Sequence, residues 1–320
     1  MNFIVRILGS SGAFPTYKRF STAHFISIYD KHFLVDCGEG TQIQLSRFNT
    51  KFGKLENIFI SHLHGDHFFG LLGLISSYNL AKREAELNIY APKELENILF
   101  SENSFFRRKE LNYKVNIIPL SPKHSVIYEN KNLQIEAFQL AHNIDTWGFI
   151  FREKQRPPNV IKEKIAELNL SIEQIKKLKQ GKDIKIGDKT YKNETLTIHH
   201  NSPRSYAFCS DTAYYEKIVP IIRNVDLLYH EATFLEKDYT EAVKVKHSTA
   251  KQAATIAKKA NVGNLLIGHF SNRYRNLNNF EIEAKEVFPK TIAVNDGMKI
   301  EIFPDHKIEV NEHNSNSTVV

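Results

Sequence analysis

The sequence predicts an α+β protein in which sheets pack face to face under a covering of helices, with one inserted segment standing outside that pattern. Three observations carry the prediction. Short apolar runs of strand length, each closed by Gly or polar residues, recur along the chain. Helix-length stretches fall between them, sparsely in the first half and regularly in the second. Residues 152–194 break the rhythm with twelve Lys/Arg against seven Asp/Glu, most of the whole-chain surplus of +7. With 320 residues, 42% of them hydrophobic and 25% charged, the chain can bury a large core without covalent staples.

The elements read in order as follows. Phe3 to Gly9 alternates like a strand and stops at Gly9-Ser10-Ser11-Gly12. Ala23–Tyr29 and His32–Cys37 form a hairpin pair, and Gly38-Glu39-Gly40-Thr41 leads into a helix ending at Phe48. Asn57–Ser61 is a short apolar strand, followed by His62–His67 as a loop and Phe68–Leu80 as a buried helix. Leu87–Ala91 is a strand, and Pro92 opens a helix at its favoured first position. Strands are expected again at Leu133–Leu140, Trp147–Phe151, Ser205–Ser210, Asp226–His230, Asn264–Gly268 and Thr291–Val294. Helices are expected at Tyr214–Arg223, Ser248–Ala260 and Phe280–Phe288. The main body is therefore drawn over 1–310, with an inserted arm at 152–200 and a polar, disordered tail at 311–320.

Several classes are excluded. Two cysteines, Cys37 and Cys209, make no disulfide framework and read as buried, reduced thiols. Met1-Asn2-Phe3-Ile4-Val5-Arg6 lacks a basic leader and apolar run, so no signal peptide is expected. No apolar stretch approaches the roughly 20 residues that span a bilayer, which excludes a membrane partner and points to the cytoplasm. The basic surplus favours a polyanionic partner.

The sharpest feature is His62-Leu63-His64-Gly65-Asp66-His67, four potential ligands in six residues directly after a strand. Imidazole and carboxylate are the donors that zinc and similar divalent ions prefer. Alternate histidines suit one cation and the Asp66-His67 pair a second, with Gly65 allowing a tight turn. This run resembles the signature of the metallo-β-lactamase superfamily. The resemblance implies an αββα sandwich with a two-metal site at one edge of its sheets. It also implies a complete ligand set: His62, His64 and His142 for one cation, Asp66, His67 and His269 for the other, and Asp211 between them. His142, Asp211 and His269 each follow an apolar run, where a sheet edge would present them. Zinc is the first expectation and manganese the alternative.

Further motifs narrow the family. Asp36-Cys37-Gly38-Glu39-Gly40-Thr41-Gln42, His230-Glu231-Ala232-Thr233, Lys246-His247-Ser248-Thr249, Gly268-His269-Phe270-Ser271-Asn272-Arg273-Tyr274 and Ala293-Val294-Asn295-Asp296 together resemble ribonuclease Z, from Ile4 to about Ile302. That resemblance implies an endonuclease that removes the 3′ trailer from precursor tRNA, with two cations per subunit, and a homodimer in which one subunit's arm serves the other's site. It assigns Asp66 to take the proton of the attacking water, and His247, oriented by Glu231, to protonate the departing ribose oxygen. Each residue also admits a structural role: His247 as the neighbour of a helix cap, Glu231 as a buried ion-pair member. Lys162, Lys164, Lys176, Lys177 and Lys179 of the arm, with Arg19 and Arg273, are the candidate RNA contacts. The stretch Pro15-Thr16-Tyr17-Lys18-Arg19-Phe20 departs from the family's Pro-x-Lys-x-Arg-Asn loop, with Tyr17 and Phe20 in place of Lys and Asn. The arm also lacks the Gly-Pro-rich turn of many relatives. Two other readings use the same cage: a small-molecule phosphodiesterase or arylsulfatase-like hydrolase, and a non-catalytic RNA-binding protein.

Overall fold

A computed structural model describes residues 2–101, 111–198 and 200–312. The first half runs β1 (Phe3–Gly9), β2 (Ala23–Ile28), β3 (Lys31–Val35), α1 (Thr41–Arg47), β4 (Asn57–Phe59), α2 (Gly65–Phe68), α3 (Gly70–Leu80), β5 (Leu87–Ala91), α4 (Glu94–Phe100) and β6 (Val115–Pro119). Next come β7 (Ser125–Glu129), β8 (Leu133–Gln139) and β9 (Trp147–Glu153). The arm holds β10 (Asn159–Val160), α5 (Lys162–Glu167), α6 (Ile172–Lys179), β11 (Ile184–Ile186), β12 (Lys189–Tyr191), α7 (Asn193–Leu196) and β13 (Thr197–Ile198). The chain closes with β14 (Ser205–Cys209), β15 (Leu227–Glu231), α8 (Tyr239–Val245), α9 (Ala250–Lys259), β16 (Asn264–Gly268), α10 (Asn278–Lys285), β17 (Thr291–Ala293), β18 (Lys299–Ile302) and β19 (Ile308–Asn311).

Two large sheets result. One has eight strands in the order β19-β18-β1-β2-β3-β4-β5-β6, and the other seven in the order β17-β16-β15-β14-β9-β8-β7. Strand periodicity explains why they stack. On β3, Phe33 and Val35 point between the sheets while Leu34 points to the helices outside. On β16, Leu266 points inward while Leu265 and Ile267 face the outer helices. Both faces of these strands are buried, so they read as continuous apolar runs. Aromatic rings fill the inter-sheet space: Phe59 lies 5.5 Å from Phe149 and Phe33 lies 5.7 Å from Phe151. Residues of α1, α3 and α4 cover one outer face, and residues of α9 and α10 the other. This is the expected αββα arrangement. No helix of the described residues is long and apolar enough to cross a membrane. Cys37 and Cys209 are free and buried.

His24 is sealed between the sheets, its Nδ1 2.8 Å from the Tyr206 hydroxyl. Burial pushes its pKa down to about 3. The unfolded chain therefore takes up a proton below about pH 6.5 that the folded ring refuses. Stability contributed by the neutral ring is present above that pH and is lost as pH falls toward 3, at about 1.4 kcal/mol per unit. Replacing His24→Gln is expected to flatten this part of the acid-unfolding curve relative to the unmodified chain, read by urea denaturation at pH 7, 6, 5 and 4. Parallel curves for the two proteins would contradict it.

The structure corrects several sequence expectations. Tyr214–Arg223 forms no α-helix; a single 3-10 turn at Glu216–Ile218 stands there, because Pro220 removes a donor and blocks helix propagation. His62–His67 is not all loop: His64 is extended, and Gly65–Phe68 makes one helical turn before α3. Gly65 has no left-handed backbone; a Cβ there would lie 2.3 Å from the Phe69 ring, so its role is close packing. The strands β6, β7 and β19 went unread because they are sheet edges with half-buried, irregular patterns, and β18 went unread beside them. Asn311 ends β19 and so is not part of a disordered tail, and residues 313–320 lie outside the described residues.

Candidate metal centre

The cage is built at the carboxyl ends of strands from both sheets. β3–β4 and β14–β15–β16 run parallel, so their exits collect at one edge of the sandwich. His62 to His67 leave the first sheet after β4. From the second sheet come His142 after β8, Asp211 after β14 and His269 after β16. His269 stands at φ 61° and Asp36, at the exit of β3, at φ 57°, a conformation that non-glycine residues rarely adopt.

The seven residues fall into two groups. His62 Nε2 lies 3.1 Å from His64 Nδ1 and 3.5 Å from Asp211 Oδ2, and His142 Nε2 lies 3.4 Å from His64 Nδ1. In the second group, His67 Nε2, His269 Nε2 and Asp66 Oδ2 are 3.3 to 3.5 Å apart. Asp211 Oδ1 stands 3.4 Å from His67 and 3.3 Å from His269, so this one carboxylate touches both groups.

These spacings fit divalent cations. Donors about 2.0–2.2 Å from a tetrahedral ion sit roughly 3.3–3.6 Å from one another. Asp211 Oδ1 is buried and makes no hydrogen bond. Positive charge is also called for. Burial pulls the His67 pKa down, yet Asp211, Asp66 and Asp36 outweigh it and hold it well above the ordinary value. A proton thus stands where a cation would be preferred, to be released on binding.

A second layer fixes the rings. Asp36 Oδ2 lies 2.7 Å from His67 Nδ1, while its other oxygen takes the Ser61 N–H at 2.7 Å. The Lys246 carbonyl lies 2.9 Å from His142 Nδ1. The Thr233 hydroxyl lies 2.9 Å from His269 Nδ1 and 2.8 Å from Glu231 Oε2. Such partners set which ring nitrogen is free to bind a cation. Asp36, Ser61 and Thr233 had no role assigned from sequence. For Asp36 a signal existed: a carboxylate at the end of an apolar strand, followed by a glycine-rich turn.

His247 approaches the cage from the loop before α9, 3.9 Å from Asp211 Oδ2. Its Nδ1 is 2.8 Å from Glu231 Oε1. Glu231 is fully buried and also accepts N–H groups from Thr212, Thr233 and Ser248. Burial alone would raise the Glu231 pKa; His247, with a smaller contribution from His269, reverses that and holds it below the ordinary value. Burial would lower the His247 pKa, but Glu231 and Asp211 push it up to about 9. The cap of α9 is made by Thr249, in a reciprocal box with Gln252, and His247 stands two residues before it.

Relatives match this chain nearly end to end. Ribonuclease Z of Phocaeicola vulgatus is 43% identical over 302 residues, 94% of this chain and 97% of that protein. Ribonuclease Z of Parabacteroides distasonis is 41% identical over 303 residues, 94% and 99% of the two chains. The chain belongs to the ribonuclease Z family. Among solved structures, human tRNase Z, short form, superposes with a TM-score of 0.65 at 25% identity, covering 93% of this chain and 98% of that one. The metallo-β-lactamase fold protein YhfI from Bacillus subtilis gives 0.67 at 18% identity over 94% and 100%, a likeness of fold. A family profile described as anti-Pycsar protein Apyc1 matches residues 3–156, which include His62 to His142 and stop short of Asp211, Glu231, His247 and His269.

The other candidate residues spread more widely. Arg273 is exposed in the turn after β16, its guanidinium 4.8 Å over the Phe234 ring, which itself lies 6.2 Å from His247. Arg19 is half-buried beside the charge of Asp296 and faces the body of the protein. Lys162, Lys176, Lys177 and Lys179 are exposed on α5 and α6, and Lys164 pairs with Glu167 at 2.6 Å. The arm is stabilised from within: Val160, Leu170, Leu178, Ile184 and Leu196 form a core of their own. It leaves β9 at Glu153 and returns at Ser205, paired opposite Arg152 at the start of β14. Asp211 lies beyond the other end of β14, so arm root and cage are about 20 Å apart along the strand.

Proposed function

We propose that this protein is a metal-dependent endonuclease that removes the 3′ trailer of precursor tRNA in the cytoplasm. It cuts after the discriminator nucleotide and leaves a 3′-hydroxyl on the tRNA and a 5′-phosphate on the trailer. The observation that carries this reading is the His247–Glu231 pair, 2.8 Å apart, with His247 Nε2 3.9 Å from Asp211 of the cage. A binding module has no use for a buried acid holding a charged imidazole beside clustered ligands.

His62, His64, His142 and Asp211 would hold one cation, and Asp66, His67, His269 and Asp211 the other. Zinc is favoured by the donor set, with manganese as the alternative. Bound there, the pair would supply a hydroxide nucleophile near neutral pH and neutralise charge on the phosphate. Asp66 would take the proton of the attacking water. His247 Nε2 gives a proton to the departing ribose 3′ oxygen, and Glu231 fixes the ring through Nδ1 and favours its protonated form. Incubation of the purified protein with a trailer-bearing precursor tests this: cleavage after the discriminator that a chelator abolishes is expected. Hydrolysis of bis(p-nitrophenyl) phosphate without RNA cleavage would favour a small-molecule hydrolase, and RNA binding without turnover a non-catalytic protein.

The arm's exposed lysines suit the phosphate backbone of folded tRNA, read by shape. Because its root lies at the far end of the sandwich from the cage, a homodimer that presents the arm to the partner's site is the arrangement we favour. The sequence of α3 has no charged residue, and Leu80 at its end, Phe69 just before it and Ile43 on α1 are exposed apolar side chains that a second copy could cover. Deleting residues 160–185 is expected to weaken precursor binding and flatten its salt dependence while sparing bis(p-nitrophenyl) phosphate hydrolysis. Mixing that chain with a His247→Ala chain should restore part of the RNA cleavage. No restoration in proven mixed dimers would argue against delivery between subunits.

A further inference from the structure

The arm is held to the body by polar joints rather than by a shared core. Among the described residues its own core, built on Val160, Leu170, Leu178, Ile184 and Leu196, is separate from those of the sandwich. A unit joined without a large apolar interface moves against its neighbour unless something else restrains it. The root supplies that restraint on both legs. Glu153 on the outgoing leg and Arg204 on the return leg are cross-linked: the guanidinium donates at 2.6 and 2.8 Å to the two carboxylate oxygens, and both side chains are buried. Arg204 also donates to the Ile302 carbonyl at 2.7 Å and so ties the pair to β18.

Each leg is pinned once more, nearer the arm. On the way out, the Arg156 guanidinium lies 4.8 Å over the ring of Tyr29 in the β2–β3 turn, and the Tyr29 hydroxyl is hydrogen-bonded to Glu153. Pro157-Pro158 follows at once and fixes two φ angles before Val160 enters the arm core. On the way back, the Asn201 amide donates to the Pro304 carbonyl at 3.0 Å, and the Ser202 hydroxyl is hydrogen-bonded to His306 Nε2. His306 Nδ1 lies 2.5 Å from Asp226 Oδ1, and Asp226 Oδ2 accepts the Ser205 N–H at 2.6 Å. His306 stands at φ 63° in the β18–β19 turn, a left-handed backbone that non-glycine residues adopt sparingly, and its ring is held on both sides.

These joints lie within a few residues of where the arm leaves and rejoins the sandwich, so they act on its direction. With both legs pinned and one stiffened by prolines, a small change of angle at the root would swing the lysines of α5 and α6 through a larger arc. We propose that Tyr29, Arg156, Ser202 and His306 are positioning residues that fix the angle at which the arm leaves the body. That angle sets the span between the arm's grip on folded RNA and the cage it serves, in its own subunit or in a partner. The inference rests on the RNA-gripping role of the arm argued above.

Spin labels test the angle directly. Gln180→Cys on the arm and Glu84→Cys on the body, both at exposed positions, take the labels, while Cys37 and Cys209 are buried and stay in place. Labelled chain diluted with unlabelled chain reports the distance within one subunit by double electron–electron resonance. A narrow distribution is expected otherwise, and a broad or displaced one when Tyr29→Ala is combined with His306→Asn, since Asn tolerates the left-handed turn. In that double variant kcat/KM on precursor tRNA should fall roughly 10- to 100-fold, the scale of a slightly misplaced substrate. Hydrolysis of bis(p-nitrophenyl) phosphate should be unchanged. The salt dependence of precursor binding should also be unchanged, because neither residue belongs to the arm that meets the phosphates. Replacing Tyr29→Ala by Tyr29→Phe, which keeps the ring under Arg156, should recover part of the loss. A broad distribution without the substitutions, an unaltered one with them, or equal losses on both substrates overturns the proposal. If the unsubstituted protein cuts no precursor, the trailer-removing reading fails, and the distance measurement still decides whether the root holds the arm.

Discussion

Replacing His247→Ala is expected to lower kcat on precursor tRNA by about 10²–10⁴-fold, the span of a lost general acid, while hydrolysis of bis(p-nitrophenyl) phosphate falls far less. The two substrates differ in what leaves. A ribose 3′ oxygen departs as a strongly basic alkoxide and needs a proton in the transition state. Nitrophenolate is stable without one. His247 Nδ1 is engaged 2.8 Å from Glu231, which leaves Nε2 facing the cage as the atom able to donate. Glu231→Gln should act in the same direction with a smaller effect, since the ring loses charge support but keeps a hydrogen-bond partner. Equal losses on both substrates would mean that His247 serves the cage itself and would remove it from the proton-donor role.

Asp211→Asn is expected to show the opposite pattern, with both substrates failing together. Asp211 is buried, one oxygen faces the His62 group and the other faces His67 and His269. An amide keeps the shape but offers one weak donor oxygen and no charge to hold two cations. Loss of several kcal/mol of transition-state charge stabilisation corresponds to a fall of about 10³-fold or more. Metal analysis of the purified variant should show fewer than two ions per chain. A variant that retained two ions and cut RNA normally would exclude Asp211 as the shared ligand.

Legibility in the sequence followed chain distance. The His62–His67 cluster is visible because its donors are neighbours in the chain. The strands buried on both faces, such as β14, β15 and β16, are visible because double burial leaves an unbroken apolar run. Edge strands such as β7 and β19 have one solvated face and a free border, and their mixed patterns carry no comparable signal. The helix expected over Tyr214–Arg223 illustrates the reverse error, in which apolar spacing outweighed the effect of Pro220.

By itself the sequence determined the donor types, the layered α+β architecture and the charge of the arm, all of which depend on residue identity and short-range periodicity. Only the tertiary structure decided that His142, Asp211 and His269 meet the turn after β4 at 3.3 to 3.5 Å, that Asp36 and Thr233 orient the rings, and that the arm roots at the opposite end of the sandwich. Those relations join residues up to two hundred positions apart. They exist only once two sheets have buried their aromatic faces against each other and brought separate strand ends to one edge.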